Sequence, residues 1–255
     1  EAEFIEVAQF AGIHATDWSW GSAVADFDMD GNNDIIITNG YARNITDMDF
    51  VTYQTNQNFF ESEINNADHR EAIKQQPPIA LHNYAFKNQG NLSFADVSRE
   101  WGLKGPDLSN GIAYGDLDLD GDLDMVINHI DQVASVYENT ASQKDKHYLK
   151  VRVLDQKGSP VYGTKVFLYV NDTFEQYQEL YPVQGYQSTQ EATFHFGLGE
   201  IASADSLIVF WPNGSSTKST SLKADTTYFF SIEDATKKRT LLENDSYNGK
   251  KLIEP

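Results

Sequence analysis

One pattern occurs twice in this sequence. ADFDMDGNNDIII begins at Ala25 and GDLDLDGDLDMVI at Gly115, an offset of 90 residues. The same offset, without a gap, aligns FIEVAQFAGI from Phe4 with FADVSREWGL from Phe94, and Gly21 with Gly111. An internal repeat constrains a fold more tightly than composition does, because a recurring unit is a supersecondary element that buries its apolar face against neighbouring copies. Each unit reads as a short strand, a link, an acidic loop and a strongly apolar strand, Asp34 to Thr38 in the first and Asp124 to Asn128 in the second. A last strand follows, in AFKNQGN from Ala85 and in SVYENTA from Ser135. Several short strands per unit, separated by polar turns, point to propeller blades or a related antiparallel array.

The acidic loops carry the chemistry. Like charges at this density repel, and acidic runs with nothing to neutralise them stay solvated, yet the second loop leads directly into Met125-Val126-Ile127. Asp26, Asp28, Asp30 and Asp34 occupy positions 1, 3, 5 and 9 of the first loop, with Gly31 at position 6; Asp116, Asp118, Asp120, Asp124 and Gly121 match them in the second. A hard cation such as Ca²⁺ takes several oxygen ligands, and alternate side chains converge on it only where the chain turns sharply, which the glycine permits. Position 7, Asn32 or Asp122, is expected to offer its backbone carbonyl, so its side-chain charge is dispensable. Position 12, where an EF-hand needs a bidentate Glu, holds Ile37 and Ile127 inside apolar runs, which excludes that motif. Asp and Gly also build ordinary hairpin turns, but two matched loops of four carboxylates predict two Ca²⁺ sites rather than turns alone. Mg²⁺ fits less well because it keeps its waters and uses few carboxylates.

Composition narrows the function classes. With 38 acidic against 19 basic residues the chain lacks the basic clusters that a nucleic-acid ligand needs. It has no cysteine, which excludes disulfides and thiolate chemistry. No run approaches the ~18 apolar residues of a membrane helix, and the start EAEFIEV, neither signal peptide nor initiator Met, reads as part of a longer protein. Composition shifts near SQKDKH, dividing residues 1–143 from a β-rich region at 144–235 and a polar tail at 236–255. Six alternating segments, YLKVRVL, TKVFLYV, EQYQELY, ATFHFGL, DSLIVFW and TTYFFSI, predict a small sandwich or barrel there. An insertion at about 44–81, with capping-box spacing at Thr46–Asp49 and a Pro77-Pro78 stop, predicts two short helices.

DFDMDGNND, DLDLDGDLD and KNQGNLSFADVS resemble FG-GAP (VCBS-type) repeats. Gly163, Gly185-Tyr186-Gln187-Ser188, His195-Phe196-Gly197-Leu198-Gly199, Asp205 and Trp211-Pro212-Asn213-Gly214 stand in the order of an ASPIC/UnbV domain. The resemblance covers about Phe4 to Ile232 and implies a mainly β protein, with blades of a Ca²⁺-loaded β-propeller followed by a small β-domain. Two blades leave open sheet edges, which proteins avoid, so further blades are expected in preceding sequence.

No enzyme constellation emerges. The six histidines contain no HExxH pair, GYQS is not a GxSxG elbow, and FGLGE lacks the lysine of a phosphate loop. His195 is expected half buried beside Phe194 and Phe196. The residues therefore predict a non-catalytic, Ca²⁺-binding module for adhesion or for a protein or glycan ligand, and the family resemblance, with the millimolar Ca²⁺ found outside cells, implies an extracellular, surface-held or periplasmic place. The rival is a glycan-binding or glycan-processing surface protein whose Trp18, Trp20 and Tyr41 stack on sugar.

Overall fold

The computed structural model describes residues 5–44, 48, 49, 52, 73, 74, 76–103, 105–142, 145–171, 173–235, 237 and 238. Most of the insertion at about 44–81, where two helices are expected, lies outside the described residues; of those described, Met48, Asp49, Thr52, Ile73 and Lys74 are helical. Among the described residues the chain is mainly β, in four small sheets, and Ala8–Ala11 form a short helix, α1. Among the described residues no helix is long and apolar enough to cross a membrane.

Strands β1 (Ser19–Ala25), β2 (Asp34–Asn39), β3 (Tyr84–Asn88) and β4 (Phe94–Asp96) form an antiparallel sheet in that order. Strands β5 (Ser109–Gly115), β6 (Asp124–His129) and β7 (Ser135–Tyr137) repeat the arrangement with three. Each acidic loop is the hairpin connection of its sheet, β1 to β2 and β5 to β6, in matched register: Ala25 pairs with Asp34 and Gly115 with Asp124. Ile36 and Ile127 are fully buried because alternate side chains of a strand share one face, and those faces meet in a common core with Phe27, Val97 and Leu123.

One boundary differs from the sequence reading. FADV does not open the second unit; it is β4, the outer strand of the first sheet, and the stretches read as links are β1 and β5. The repeat seen in sequence is thus displaced by one strand from the sheet, because a strand's partner is set by where its edge hydrogen bonds are met, not by sequence phase.

The glycines aligned in the repeat show what neighbours each unit. A Cβ on Gly21 would lie 2.6 Å from the Asn110 carbonyl of β5, and one on Gly111 would lie 2.8 Å from Ser188 Oγ. The GYQS segment therefore stands beside the second unit where the second unit stands beside the first. It does so with side chains: Ser188 Oγ accepts the Ile112 N–H at 3.2 Å, Gln190 Oε1 accepts the Tyr114 N–H at 2.7 Å, and Gln190 Nε2 donates to Ile112 O at 3.3 Å. An edge strand that would otherwise present bare N–H and C=O groups is covered.

The C-terminal region is a two-sheet sandwich. One sheet runs β10 (Thr173–Glu179), β9 (Lys165–Val170), β12 (Ser203–Phe210), β13 (Ser215–Lys223), β15 (Lys237–Lys238); the other runs β11 (Phe194–Gly199), β8 (His147–Leu154), β14 (Thr226–Ser231), with β14 parallel to β8. Leu149, Val151 and Val153 of β8 face Val166, Leu168 and Val170 of β9, with Phe194, Phe196, Leu207 and Val209 between them. The six alternating segments are six of its strands. Strand β13, SSTKSTSLK, escaped the pattern because its side chains are polar; continuous pairing with β12, Ser203 with Lys223 to Phe210 with Ser216, holds it.

Strand β11 joins the sandwich to the first acidic loop: Gly199 N donates to Met29 O at 2.9 Å. A Cβ on Gly197 would meet Asp26 Oδ2 at 2.0 Å and Met29 Cα at 2.6 Å, whereas one on Gly199 meets nothing within 4 Å. Gly197→Ala is expected to destabilise by about 3 kcal/mol or more, the upper end of overpacking, and Gly199→Ala by only the ~1 kcal/mol of a left-handed backbone position. Urea unfolding of the two variants checks the difference.

Candidate metal centres

Both loops wind in the same way. Residues at positions 4 and 6 take positive φ in each: Met29 at 59° and Gly31 at 92°, Leu119 at 68° and Gly121 at 104°. Left-handed conformation is uncommon for Met and Leu, so the sequence-level reading found one of the two residues that tighten the turn and missed the other. The winding aims backbone N–H groups inward. Asp26 Oδ2 accepts from Gly31 N at 2.8 Å and Asp116 Oδ2 from Gly121 N at 3.1 Å. Position 5 accepts from position 7: Asp30 from Asn32 N at 3.0 Å and Asp120 from Asp122 N at 3.2 Å.

Position 9 braces the hairpin to the next strand. Asp34 accepts from Phe27 N at 3.1 Å and Asn88 N at 2.9 Å; Asp124 accepts from Leu117 N and Asn139 N, each at 2.9 Å. Asn88 and Asn139 complete the pattern by donating to Asn33 O at 3.0 Å and Leu123 O at 3.1 Å. These two asparagines were missed as site residues, although KN in AFKNQGN and EN in SVYENTA mark the shared position.

Of the ten predicted ligands, the structure gathers two sets of three. One carboxylate oxygen from each of Asp26, Asp28 and Asp34 lies within 4.8 Å of the others, as does one from each of Asp116, Asp118 and Asp120. Asp30 and Asp124 are held by the hydrogen bonds above, outside these sets. Asn32 is exposed and gives its side-chain N–H to Asp30 at 3.0 Å. Asp122 departs from the expectation that its side chain is dispensable: it is fully buried, accepts from Ser142 N at 2.9 Å, and burial pushes its carboxyl up to about 6. The second loop lies under the start of the sandwich, and the first loop's Asn32 faces solvent, so equal sequence positions have unequal surroundings.

Three lysines outside the loops supply positive charge that the sequence pattern did not reveal. Lys87 reaches Asp28 and lies 3.2 Å from Asp30; Lys146 lies 3.8 Å from Asp28; Lys150, nearly buried, pairs with Asp116. No sequence spacing links them to the loops. The compensation is incomplete. Burial, then repulsion from Asp30 and Asp28, pushes Asp26 up to about 7 against two backbone donors. Burial and repulsion from Asp28 and Asp26 do the same to Asp34, also to about 7. Asp30 moves below the usual carboxylate range: burial opposes this, but the Asn32 and Lys87 hydrogen bonds outweigh it. Asp28 Oδ1 and Asp116 Oδ1 are buried without a hydrogen-bond partner. Asp122 Oδ1 is a further such oxygen in the second loop, and orphaned anionic oxygens within an all-oxygen donor set fit a hard cation and not a thiophilic metal.

The sandwich touches the second loop through His195, which is buried rather than half buried. Its Nε2 faces Gly121 O at 2.7 Å and its ring stacks on Tyr148 at 6.0 Å. Burial lowers its pKa to about 4, with Lys150 adding to the effect. Because this lies below the unfolded value of about 6.5, the unfolded chain binds the proton first; the stability that His195 contributes is complete above pH ~6.5 and is lost as pH falls toward ~4. His195→Gln is expected to flatten the acid limb of stability by roughly 1.4 kcal/mol per pH unit at most within that window, as measured by urea midpoints from pH 7 to 4.5.

Trp18, Trp20 and Tyr41, the rings expected to stack on sugar in the rival reading, form one aromatic cluster, with Trp18 39% exposed. Trp18 lies 4.5 Å from Tyr41, and Trp20 sits between Tyr41 at 6.3 Å and Tyr186 at 4.9 Å with its N–H on Gly40 O.

Residues 155–237 match the family described as ASPIC and UnbV. Cartilage acidic protein 1 of Xenopus tropicalis is 26% identical over 247 residues, which cover 84% of this chain and 37% of that protein. The Mus musculus and Homo sapiens proteins of the same name are each 25% identical, over 83% and 84% of this chain. The chain therefore spans little more than a third of the length of these relatives. The sandwich carries an ASPIC/UnbV domain at residues 155–237, in a chain distantly homologous to cartilage acidic protein 1 over most of its length.

Proposed function

We propose that this chain is a non-catalytic, Ca²⁺-binding extracellular module, a piece of a longer protein, in which FG-GAP-type blades are joined to an ASPIC/UnbV domain for adhesion or ligand binding. The observation that carries this reading is the pair of orphaned oxygens, Asp28 Oδ1 and Asp116 Oδ1, each buried in a loop of convergent carboxylates. Asp26, Asp28 and Asp34 would hold one cation and Asp116, Asp118 and Asp120 the other. A bound Ca²⁺ would supply charge compensation that lysines give only in part, so its role is to fix the hairpins on which the sandwich rests. Millimolar Ca²⁺ outside cells suits such sites, and the relatives' name shares the acidity seen here.

The blade reading is supported by the up-and-down order of β1 to β4. It is also supported by the sequence alignment of the two units at an offset of 90 residues. Further blades would then lie on the first unit's side, since GYQS covers the other.

Adding a chelator to the intact chain should lower its melting temperature and Ca²⁺ should restore it, each site contributing about 2.7 kcal/mol at one hundred times its dissociation constant. An Asp28→Ala, Asp118→Ala double variant should lose most of this response. No response across millimolar Ca²⁺ would refute the reading. Removing the competing ammonium groups, as Lys87→Met with Lys150→Met, should lower the melting temperature in chelator and steepen its recovery with Ca²⁺, followed by calorimetry.

A further inference from the structure

A cleft of about 370 Å³ opens where the two repeat sheets meet the sandwich, with walls from β1, β5, β10 and the segment that carries GYQS. Its size and its place between domains are those of small-molecule sites, which run from ~300 Å³ upward. The GYQS region was read above only as an edge cover, and neither acidic loop requires an open space at this junction.

The lining defines a chemistry. Tyr177 and Tyr181 stand at the mouth, 40% and 52% exposed. Tyr177 OH donates to Glu179 Oε2 at 2.9 Å. Glu179 thereby fixes one of the two aromatic rings at the rim. Deeper in, the formal charges are already matched within the protein, Asp116 with Lys150 and Glu179 with Lys165 at 3.5 Å. What remains for a ligand is polar and uncommitted. Gln184 Oε1 is taken by Tyr114 OH at 3.0 Å, which turns the amide nitrogen to other partners. Glu191 accepts only the Thr193 hydroxyl, at 3.0 Å on Oε1.

We infer that this cleft is a binding site for a neutral saccharide, whose ring stacks on Tyr181 and Tyr177 and whose hydroxyls meet Glu191 and the Gln184 amide. A hydroxyl both donates and accepts, so it suits a lining that mixes uncommitted acceptors with an amide donor; aromatic rims supply the apolar face that a sugar ring presents. An anionic ligand would face the excess of Asp116, Glu179 and Glu191 over Lys150, and a cationic one would find only Glu191 free of a cation. The site is separate from the cluster of Trp18, Trp20 and Tyr41, none of which lines the cleft.

The test is titration calorimetry on the intact chain at one fixed millimolar Ca²⁺ concentration, which keeps the cation question apart from this one. The probes are maltose, cellobiose, lactose and chitobiose, alongside a sulfated heparin disaccharide and tetralysine. At least one neutral disaccharide should bind, at least tenfold more weakly to Tyr181→Ala and to Glu191→Ala, and unchanged to Trp18→Ala. Both cleft side chains are exposed, and unchanged melting temperatures will show that the variants fold. Absence of binding by all four neutral sugars, preference for either charged probe, or binding lost in Trp18→Ala but kept in Tyr181→Ala each overturns the proposal.

Discussion

Asp26 and Asp34 are almost completely removed from solvent at 1% and 0% exposure, and their repulsion must be offset for the rest of the chain to hold its place. Several kinds of partner contribute. Inward-turned backbone N–H groups give each buried carboxylate at least one donor, the asparagines that follow the third strand of each sheet's hairpin ladder lock position 9, and Lys87, Lys146 and Lys150 bring ammonium groups from elsewhere in the chain. These loops are also the floor on which the sandwich sits: Gly197 and Gly199 lie against the first, and His195 and Tyr148 against the second. The electrostatics of two short hairpin connections and the docking of an entire domain are therefore one problem. A cation with several oxygen ligands is a compact solution, because one charge replaces several long side chains that must each be ordered.

The two loops are related but not equivalent. Asn32 is exposed where Asp122 is buried, and Lys87, which reaches Asp28, corresponds by its place before the strand-ending asparagine to Glu138, an acid. Phe27 and Met29 are buried where Leu117 and Leu119 are exposed. Each difference follows from what stands beside the unit. The second unit covers Phe27 through Tyr114, ring centroids 5.5 Å apart, and β11 covers Met29, while nothing described stands over Leu117 and Leu119. Repeats keep their internal hydrogen bonds and let their flanks vary with their neighbours, since each unit depends chiefly on adjacent copies.

The contact between repeats and sandwich also changes what an ASPIC/UnbV segment does structurally. GYQS and HFGLG lie in different strands and turns, yet both meet the repeats: GYQS covers the β5 edge, and His195, Gly197 and Gly199 press on the acidic loops while Phe196 and Leu198 fill the sandwich core. Their glycines and small side chains allow backbone to approach backbone, and the cleft is the space left where that approach ends.

The sequence by itself determined the repeat, the two acidic hairpins, the β character of both halves and the glycine that turns each loop, because these follow from local periodicity and from residue types with narrow conformational preferences. It could also carry the family resemblance through GYQS, HFGLG and WPNG. Tertiary structure decided that FADV belongs to the preceding sheet, that polar β13 is a strand, that Asp122 is buried, and that three distant lysines and His195 converge on the loops. Those outcomes depend on edge pairing and long-range burial, in which residues tens of positions apart become neighbours, and no spacing along the chain encodes that distance.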